Sequence, residues 1–229
     1  MFSLTELAPL LPEIFVLSAT CLLLLLDLFI SDARRGLTHF LSILILVAAI
    51  ILTLRGGVPT GQSVSAFNGM FVRDGVSDLL KVVIFLVTAV TYVYAKPYLS
   101  DRSLLKGEFY VLSLFAVLGM MILVSAGSLI TVYLGLELLA LSSYALVALD
   151  RDNRNSVESA MKYFVLGALA SGMLLYGMSM LYGASGSLDL QTIASVSAHA
   201  GDTRTLMLVG MVFVTVGIAF KFGAAPFHM

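Results

Sequence analysis

Seven long apolar stretches constrain this chain more than any other feature of its sequence. A helix needs roughly 20 mostly apolar residues to cross a bilayer, where no water is present to pair its backbone groups. The chain has 229 residues, of which 12% are charged. The sequence therefore predicts an all-α, polytopic bundle of transmembrane helices. Its expected spans are about 10–30, 37–54, 76–95, 107–125, 128–149, 157–182 and 205–223.

The charge balance and the cysteine content argue against several kinds of site. The chain has 13 basic and 14 acidic residues and a net charge of -1, so no basic surplus suggests a nucleic-acid partner. Its single cysteine, Cys21, has no second cysteine for an intrachain disulfide, and no histidine lies near it to complete a metal site. We therefore expect no metal, redox cofactor or nucleic acid to bind this chain.

The loops between the spans predict the orientation of the chain. The first, third and fifth loops hold seven Lys and Arg residues, and the other loops hold three. Cytoplasmic loops carry the excess of Lys and Arg, so the N-terminus should face the outside.

Two outward loops have recognisable patterns. Asn68-Gly69 between apolar residues is typical of a type I′ hairpin, and SLDLQTIASVSAH is typical of a short interfacial helix, although an irregular loop fits either segment equally well.

Glu137 and Lys162 lie inside two of the predicted spans. A charge at bilayer depth costs at least about 2.5 to 3.5 kcal/mol and usually faces a partner or a hydrated path. Glu137 lies near the middle of its span, which favours a proton carrier or its electrostatic partner over a simply hydrogen-bonded acid. Lys162 is near a span end, where it can snorkel, but Glu158 precedes it by one turn as an i, i+4 partner.

Lys221 is the most informative charge, because it lies some sixteen residues into the last span and is followed by FGAAPFH. Pro226 lacks an N–H, and Gly223 adds backbone freedom, so the helix should kink or break here. A broken membrane helix needs protein or water to satisfy its freed backbone groups. Lys221, the break and His228 together predict a hydrated ion path.

The remaining charges are weaker candidates. Lys81 should form an interfacial pair with Asp78, one turn away, and Glu13 should be an end-of-helix charge. Glu108 opens the fourth span and is equally compatible with a functional or a structural role. Small residues from Gly167 to Gly172 should allow close helix packing.

Three segments of the sequence resemble the subunit N family of bacterial NADH:quinone oxidoreductase (respiratory complex I), whose members are antiporter-like membrane subunits. YLGLELLALSSYALVAL is similar to the fifth span of that family, and the run from SVESAMKYF to SLDL is similar to its sixth. FKFGAAPFHM is similar to the start of its interrupted seventh span. The resemblance is strong over residues 105–229 and weaker before them. It divides the chain into an N-terminal three-helix segment, 1–100, and a first antiporter-like repeat, 101–229.

The resemblance implies a proton-translocating subunit of a bacterial inner-membrane complex. Glu137 would be the acidic partner, Lys221 the central lysine and Lys162 a further channel lysine. His228, Glu108 and Glu158 would be secondary positions. The complex would use NADH, FMN, iron-sulfur clusters and quinone, held by other membrane and peripheral subunits, and this chain would do no redox chemistry.

The sequence ends inside apolar residues, where members of this family continue through further spans, so we expect it to be an N-terminal fragment. Two other functions remain open. A subunit of a multisubunit cation/proton antiporter shares the Glu, Lys and broken-helix pattern. A non-transporting scaffold would leave the Pro-interrupted span unexplained.

Overall fold

The computed structural model describes residues 7–30, 35–59, 61–198 and 201–225. Within these ranges the chain is a helical bundle with one small hairpin, and seven of its helices are long and apolar enough to cross a membrane. The all-α, seven-span prediction is confirmed, with boundaries close to those expected except that the third span continues to Asp101 rather than ending near residue 95. The elements are α1 Leu11–Asp27, α2 Arg35–Arg55, β1 Ser63–Ala66, β2 Phe71–Asp74, α3 Gly75–Asp101, α4 Gly107–Val124, α5 Leu129–Val147, α6 Arg154–Ser185, α7 Leu190–Ala198 and α8 Arg204–Lys221.

Local sequence explains where several helices begin and end. Asp74 and Ser77 form a reciprocal capping box at the start of α3, and the Ser128 hydroxyl accepts a hydrogen bond from the Thr131 N–H at the start of α5. The Asn153 side chain accepts from the Asn155 N–H at the start of α6. Helix α6 ends at Gly186, whose φ of 69° lies in the left-handed region that glycine tolerates best.

The hairpin predicted at Asn68-Gly69 is confirmed. Strands β1 and β2 pair antiparallel, with Ala66 opposite Phe71, and the Met70 N–H donates to the Phe67 carbonyl across the turn. Asn68 and Gly69 have φ values of 55° and 84°, and a type I′ turn requires positive φ at both of its central residues.

The second patterned loop contains the short helix that the sequence predicts, α7. Asp189 precedes it, and its carboxylate accepts hydrogen bonds from the backbone N–H and the hydroxyl of Thr192. These bonds stabilise the charged form of the carboxylate and lower the pKa of Asp189 from its ordinary value. The Leu129 N–H also donates to the Leu188 carbonyl, so this loop is tied to the start of α5 on the hairpin side of the bundle.

Two clusters of buried apolar side chains hold the bundle together. The first cluster contains residues of all four helices from α1 through α4, among them Val16, Leu46, Phe85 and Leu114. The second cluster contains residues of all four helices from α5 through α8, among them Leu136, Leu174, Met178, Ile193 and Met207.

Glycines set the close packing of α6 against α8. A Cβ atom on Gly177 would lie 2.8 Å from the Gly210 carbonyl oxygen, and one on Gly217 would lie 2.9 Å from the Cβ of Leu174. Such contacts are too short for any larger residue, so small side chains permit the two backbones to approach. The end of α8 is therefore held firmly against the middle of α6.

The predicted interfacial pair of Lys81 and Asp78 is wrong. Lys81 instead contacts Glu13 across α1 and α3, with 2.6 Å between Nζ and Oε1, and both side chains are buried. Asp78 pairs with Arg73 at 2.8 Å. The i, i+3 spacing of Asp78 and Lys81 placed them close along one helix, but packing of α3 against α1 turned the lysine toward a more deeply buried acid.

Candidate functional site

The last described span ends at Lys221 rather than continuing. The Gly223 N–H donates to the Phe220 carbonyl, and the Ala224 N–H donates to the Ala219 carbonyl. With a φ of 61° at Gly223, these two bonds form a Schellman motif. The predicted helix break is thus present, one residue after Lys221. Pro226 and His228, which contributed to that prediction, lie outside the described residues.

Glu137 lies on α5, nine residues into the helix and about 12 Å from its start at 1.5 Å per residue. The Nζ atom of Lys221 donates a hydrogen bond to its Oε1 atom at 2.9 Å. The side chains are 9% and 21% exposed for Lys221 and Glu137 respectively. The structure therefore brings together the two charges that the sequence placed deepest in the membrane, although 84 residues separate them along the chain.

Ser171 of α6 completes this cluster. Its hydroxyl donates to Glu137 Oε1 at 2.5 Å and accepts from Lys221 Nζ at 3.0 Å. A hydroxyl can donate and accept at the same time, so Ser171 offers a second hydrogen-bonded connection from the ammonium to the carboxylate. We call Glu137, Ser171 and Lys221 the central cluster.

Sequence reasoning missed Ser171 because it stands in the small-residue run that indicated packing. Serines in membrane helices often bond to the preceding turn of their own backbone, as Ser142 and Ser143 do on α5. Nothing local distinguishes Ser171 from them. The packing prediction itself holds for Ala170, whose carbonyl oxygen would lie 3.1 Å from a Cβ atom on Gly217.

The other predicted site residues within the described ranges, which are Lys162, Glu158 and Glu108, lie at the surface of the chain. Lys162 pairs with Glu158 at 2.7 Å in the expected i, i+4 geometry, and the two side chains are 69% and 56% exposed. Glu108 pairs with Arg151 at 2.7 Å, linking the start of α4 to the loop before α6. In this conformation their ion pairs do not include the central cluster.

An open cleft of about 480 Å³ lies beside the central cluster, between α4, α5, α6 and α8. Most of its lining is apolar, and its polar side chains are Ser143, Tyr144, Tyr163 and Lys221. Lys221 thus contacts a half-buried acid and also borders an open cleft. In the described ranges, no group of three or more His, Cys, Asp or Glu side chains is placed to hold a metal ion.

In the described residues, a bundle of seven candidate spans with a Glu–Lys pair at the C-terminal end of the last one is the architecture of an antiporter-like membrane subunit. Residues 126–229 match the family described as NADH:quinone oxidoreductase/Mrp antiporter, TM. NADH-quinone oxidoreductase subunit N of Thioalkalivibrio sulfidiphilus is 52% identical to the chain over 229 residues, which is 100% of this chain and 47% of that relative. The chain belongs to this family, and it spans about half the length of the curated relatives it matches.

Solved structures share the same fold. Respiratory complex I from Thermus thermophilus with bound aureothin contains a chain that matches with a TM-score of 0.74 and 30% identity, covering 95% of this chain and 45% of that one. The Mrp complex from Dietzia sp. matches with a TM-score of 0.70 and 22% identity, covering 99% of this chain and 42% of that one. The second likeness concerns the fold alone.

Proposed function

We propose that this chain acts in a proton-translocating membrane subunit of an NADH:quinone oxidoreductase, and that Glu137 and Lys221 carry or control the moving proton. The observation that carries the proposal is the contact of Lys221 with Glu137 and Ser171 at the C-terminal end of α8, a helix long and apolar enough to cross a membrane. An ammonium inside a membrane span needs a partner, and a helix end there needs protein or water to satisfy its backbone groups. Glu137 and Ser171 supply the partner, and the Schellman hydrogen bonds after Lys221 satisfy two carbonyls of the helix end.

The proposed mechanism depends on the distance between the two charges. A carboxylate beside an ammonium stabilises both charged forms, whereas loss of the partner or of water favours the neutral forms. When Glu137 and Lys221 separate, Lys221 therefore releases its proton more readily, and when they meet again it takes one up. Ser171, bonded to both, is placed to relay the proton or to hold the pair in register.

Electron transfer would occur in other subunits. NADH, FMN, iron-sulfur clusters and quinone would be held there, and the membrane and peripheral subunits of the complex are the partners of this chain. Quinone reduction would drive the change in distance at the central cluster. Lys162, with Glu158, would act as a secondary channel lysine, and Glu108 and His228 as secondary positions.

The proposal includes location, orientation and domain organisation. We place the chain in the bacterial inner membrane with its N-terminus on the periplasmic side, because Arg35, Lys106 and Arg151 lie on one side and the hairpin on the other. Labelling of a cysteine at Ser103 in a Cys21→Ala background should occur only from the cytoplasmic side; labelling only from the periplasmic side contradicts this topology. Residues 1–100 would form a three-helix segment and 101–229 the first antiporter-like repeat.

Replacement of Lys221 by arginine tests the function most sharply. A guanidinium with a pKa above about 12 keeps its proton and cannot cycle, although it retains the charge. We expect Lys221→Arg and Lys221→Ala to impair proton pumping by the assembled complex in reconstituted vesicles, while electron transfer in the peripheral subunits continues. Normal pumping by Lys221→Arg would show that the residue supplies only a fixed charge.

The same experiment addresses the alternative of a cation/proton antiporter subunit, which the description of the matching family also names. Vesicles that acidify with NADH and quinone support the respiratory function. Vesicles that exchange sodium for protons without electron donors support the antiporter. If the subunit is a non-transporting scaffold, replacement of Lys221 should change neither proton pumping nor the exchange of sodium for protons.

A further inference from the structure

Tyr144 occupies a position that connects the central cluster to one side of the bundle. It lies on α5, seven residues after Glu137, so the two side chains share a helix face and Tyr144 is two turns closer to the Arg151 side. The residue is 7% exposed and lines the cleft that Lys221 also lines. A buried tyrosine hydroxyl normally has a hydrogen-bond partner.

Gly167 provides the space for this hydroxyl. A Cβ atom on Gly167 would overlap the Tyr144 hydroxyl oxygen, whereas one on Gly172 of the same helix would meet nothing within 4 Å. The Tyr144 ring is held by edge-to-face contacts with Tyr163, at 4.6 Å between centroids, and Phe164, at 5.7 Å. The hydroxyl is therefore fixed against the backbone of α6 at Gly167.

Residues 163, 167 and 171 of α6 follow one another at four-residue spacing on a single face. One step along this face is about 6 Å, which is the span of one water molecule that makes two hydrogen bonds of about 2.8 Å each. The Tyr144 hydroxyl, which lies at Gly167, is thus one helix step from Ser171 on the Glu137 side and one step from residue Tyr163 on the Arg151 side. The lack of a side chain at Gly167 keeps this line open.

We propose that the Tyr144 hydroxyl, seated at Gly167, is a relay for protons that enter the central cluster from the Arg151 side of the membrane. Water on the Tyr163 side gives a proton to the hydroxyl oxygen as the hydroxyl proton passes to water on the Ser171 side. One O–H bond forms for each one that breaks, and the tyrosine remains neutral. This inference rests on the proposed function, for which it supplies an entry route.

Tyr144→Phe removes the hydroxyl and keeps the ring that packs on Tyr163 and Phe164. In the assembled complex we expect pumping to fall about three- to tenfold, the effect of losing one hydrogen bond from the path. The loss should grow as pH rises on the Arg151 side, because proton uptake then becomes limiting. Tyr176→Phe is the matched control, since Tyr176 of α6 also packs edge to face, on Phe213, but is 57% exposed.

Gly167→Ala tests the seat of the hydroxyl without removing it. The added methyl group should displace Tyr144 and slow pumping, while Gly172→Ala should leave it unchanged. If the complex that carries Gly167→Ala does not assemble, the pumping rate of Tyr144→Phe alone tests the relay. Unchanged pumping by Tyr144→Phe, or a loss that is equal at every pH, overturns the relay.

Lys221→Ala, measured in parallel, separates the two proposals. If Lys221→Ala pumps normally, the proposed function fails. If pumping needs Lys221 but not the Tyr144 hydroxyl, the proposed function stands and only the relay fails.

Discussion

Within the described residues, two acid–lysine pairs join different helices, and they differ in their surroundings. The N-terminal pair, Glu13 and Lys81, is almost fully enclosed, with side-chain exposures of 6% and 0%, and neither charged group hydrogen-bonds another residue in the part of the chain that the structure describes. The Lys81 Nζ atom lies over the Phe71 ring, 5.2 Å from the ring centroid. The central pair, Glu137 and Lys221, is more exposed, shares Ser171 and borders a cleft.

Burial of a charge pair alone therefore does not identify a proton carrier. Two opposite charges enclosed without other hydrogen bonds stabilise each other but have no route for exchange, and removal of either leaves an uncompensated charge. The central pair has a bridging hydroxyl and borders an open cleft, which under the proposed function would serve as relay and as approach for protons. We therefore propose a structural role for the N-terminal pair and proton movement for the central pair.

Lys81→Ala should give the largest effect. It leaves the Glu13 carboxylate buried without a partner, and we expect the membrane fold to lose about 3 to 5 kcal/mol of stability. Glu13→Gln combined with Lys81→Met should restore most of it, because neither side chain then carries a charge. Unfolding in mixed micelles measures both variants. Full stability of Lys81→Ala with lost pumping would reverse the assignment of the two pairs.

Glu137→Ala should act mainly on pumping. Loss of the acid that stabilises the Lys221 charge should slow proton transfer about a hundredfold, or about 2.7 kcal/mol in the barrier. Glu137→Asp should keep part of the activity, since it preserves the charge. The Glu13→Gln/Lys81→Met variant is the control, and its pumping per assembled complex should match the parent. Undiminished pumping by Glu137→Ala would remove the acid from the mechanism.

Ser171→Ala should have an intermediate effect. It removes one connection between Lys221 and Glu137 but leaves their direct contact, so we expect pumping to fall about fivefold, equivalent to about 1 kcal/mol. Ser142→Ala is the matched control, because the Ser142 hydroxyl is also buried but bonds only to the Leu138 carbonyl of its own helix. Equal rates for the two variants would mean that Ser171 contributes packing alone.

Lys162→Ala should have the smallest effect on stability. Its pair with Glu158 is exposed to solvent screening and lies along one helix, so its loss should change the free energy of unfolding very little. As a secondary channel lysine, its replacement should lower pumping less than Lys221→Ala does. Pumping equal to that of the parent would exclude Lys162 from the path.

Much of the architecture follows from local sequence. Apolar length predicts the seven spans, the Asn68-Gly69 pair predicts the hairpin, and the residues after Lys221 predict the helix break. Each of these features depends on residues that are contiguous in the sequence, because helix length, turn geometry and capping are local properties. The cost of burying a charge also makes Glu137 and Lys221 candidates on the basis of their sequence positions alone.

Which charges and hydroxyls meet is settled by tertiary packing. Packing paired Lys81 with Glu13 rather than Asp78, added Ser171 to the central cluster and seated Tyr144 at Gly167. Glu137 and Lys221 lie 84 residues apart, and their contact depends on how closely α6 and α8 approach through their glycines. Periodicity shows which face of a helix is apolar, but the partner of a buried polar group is set by the rotation and separation of packed helices, which local sequence does not encode.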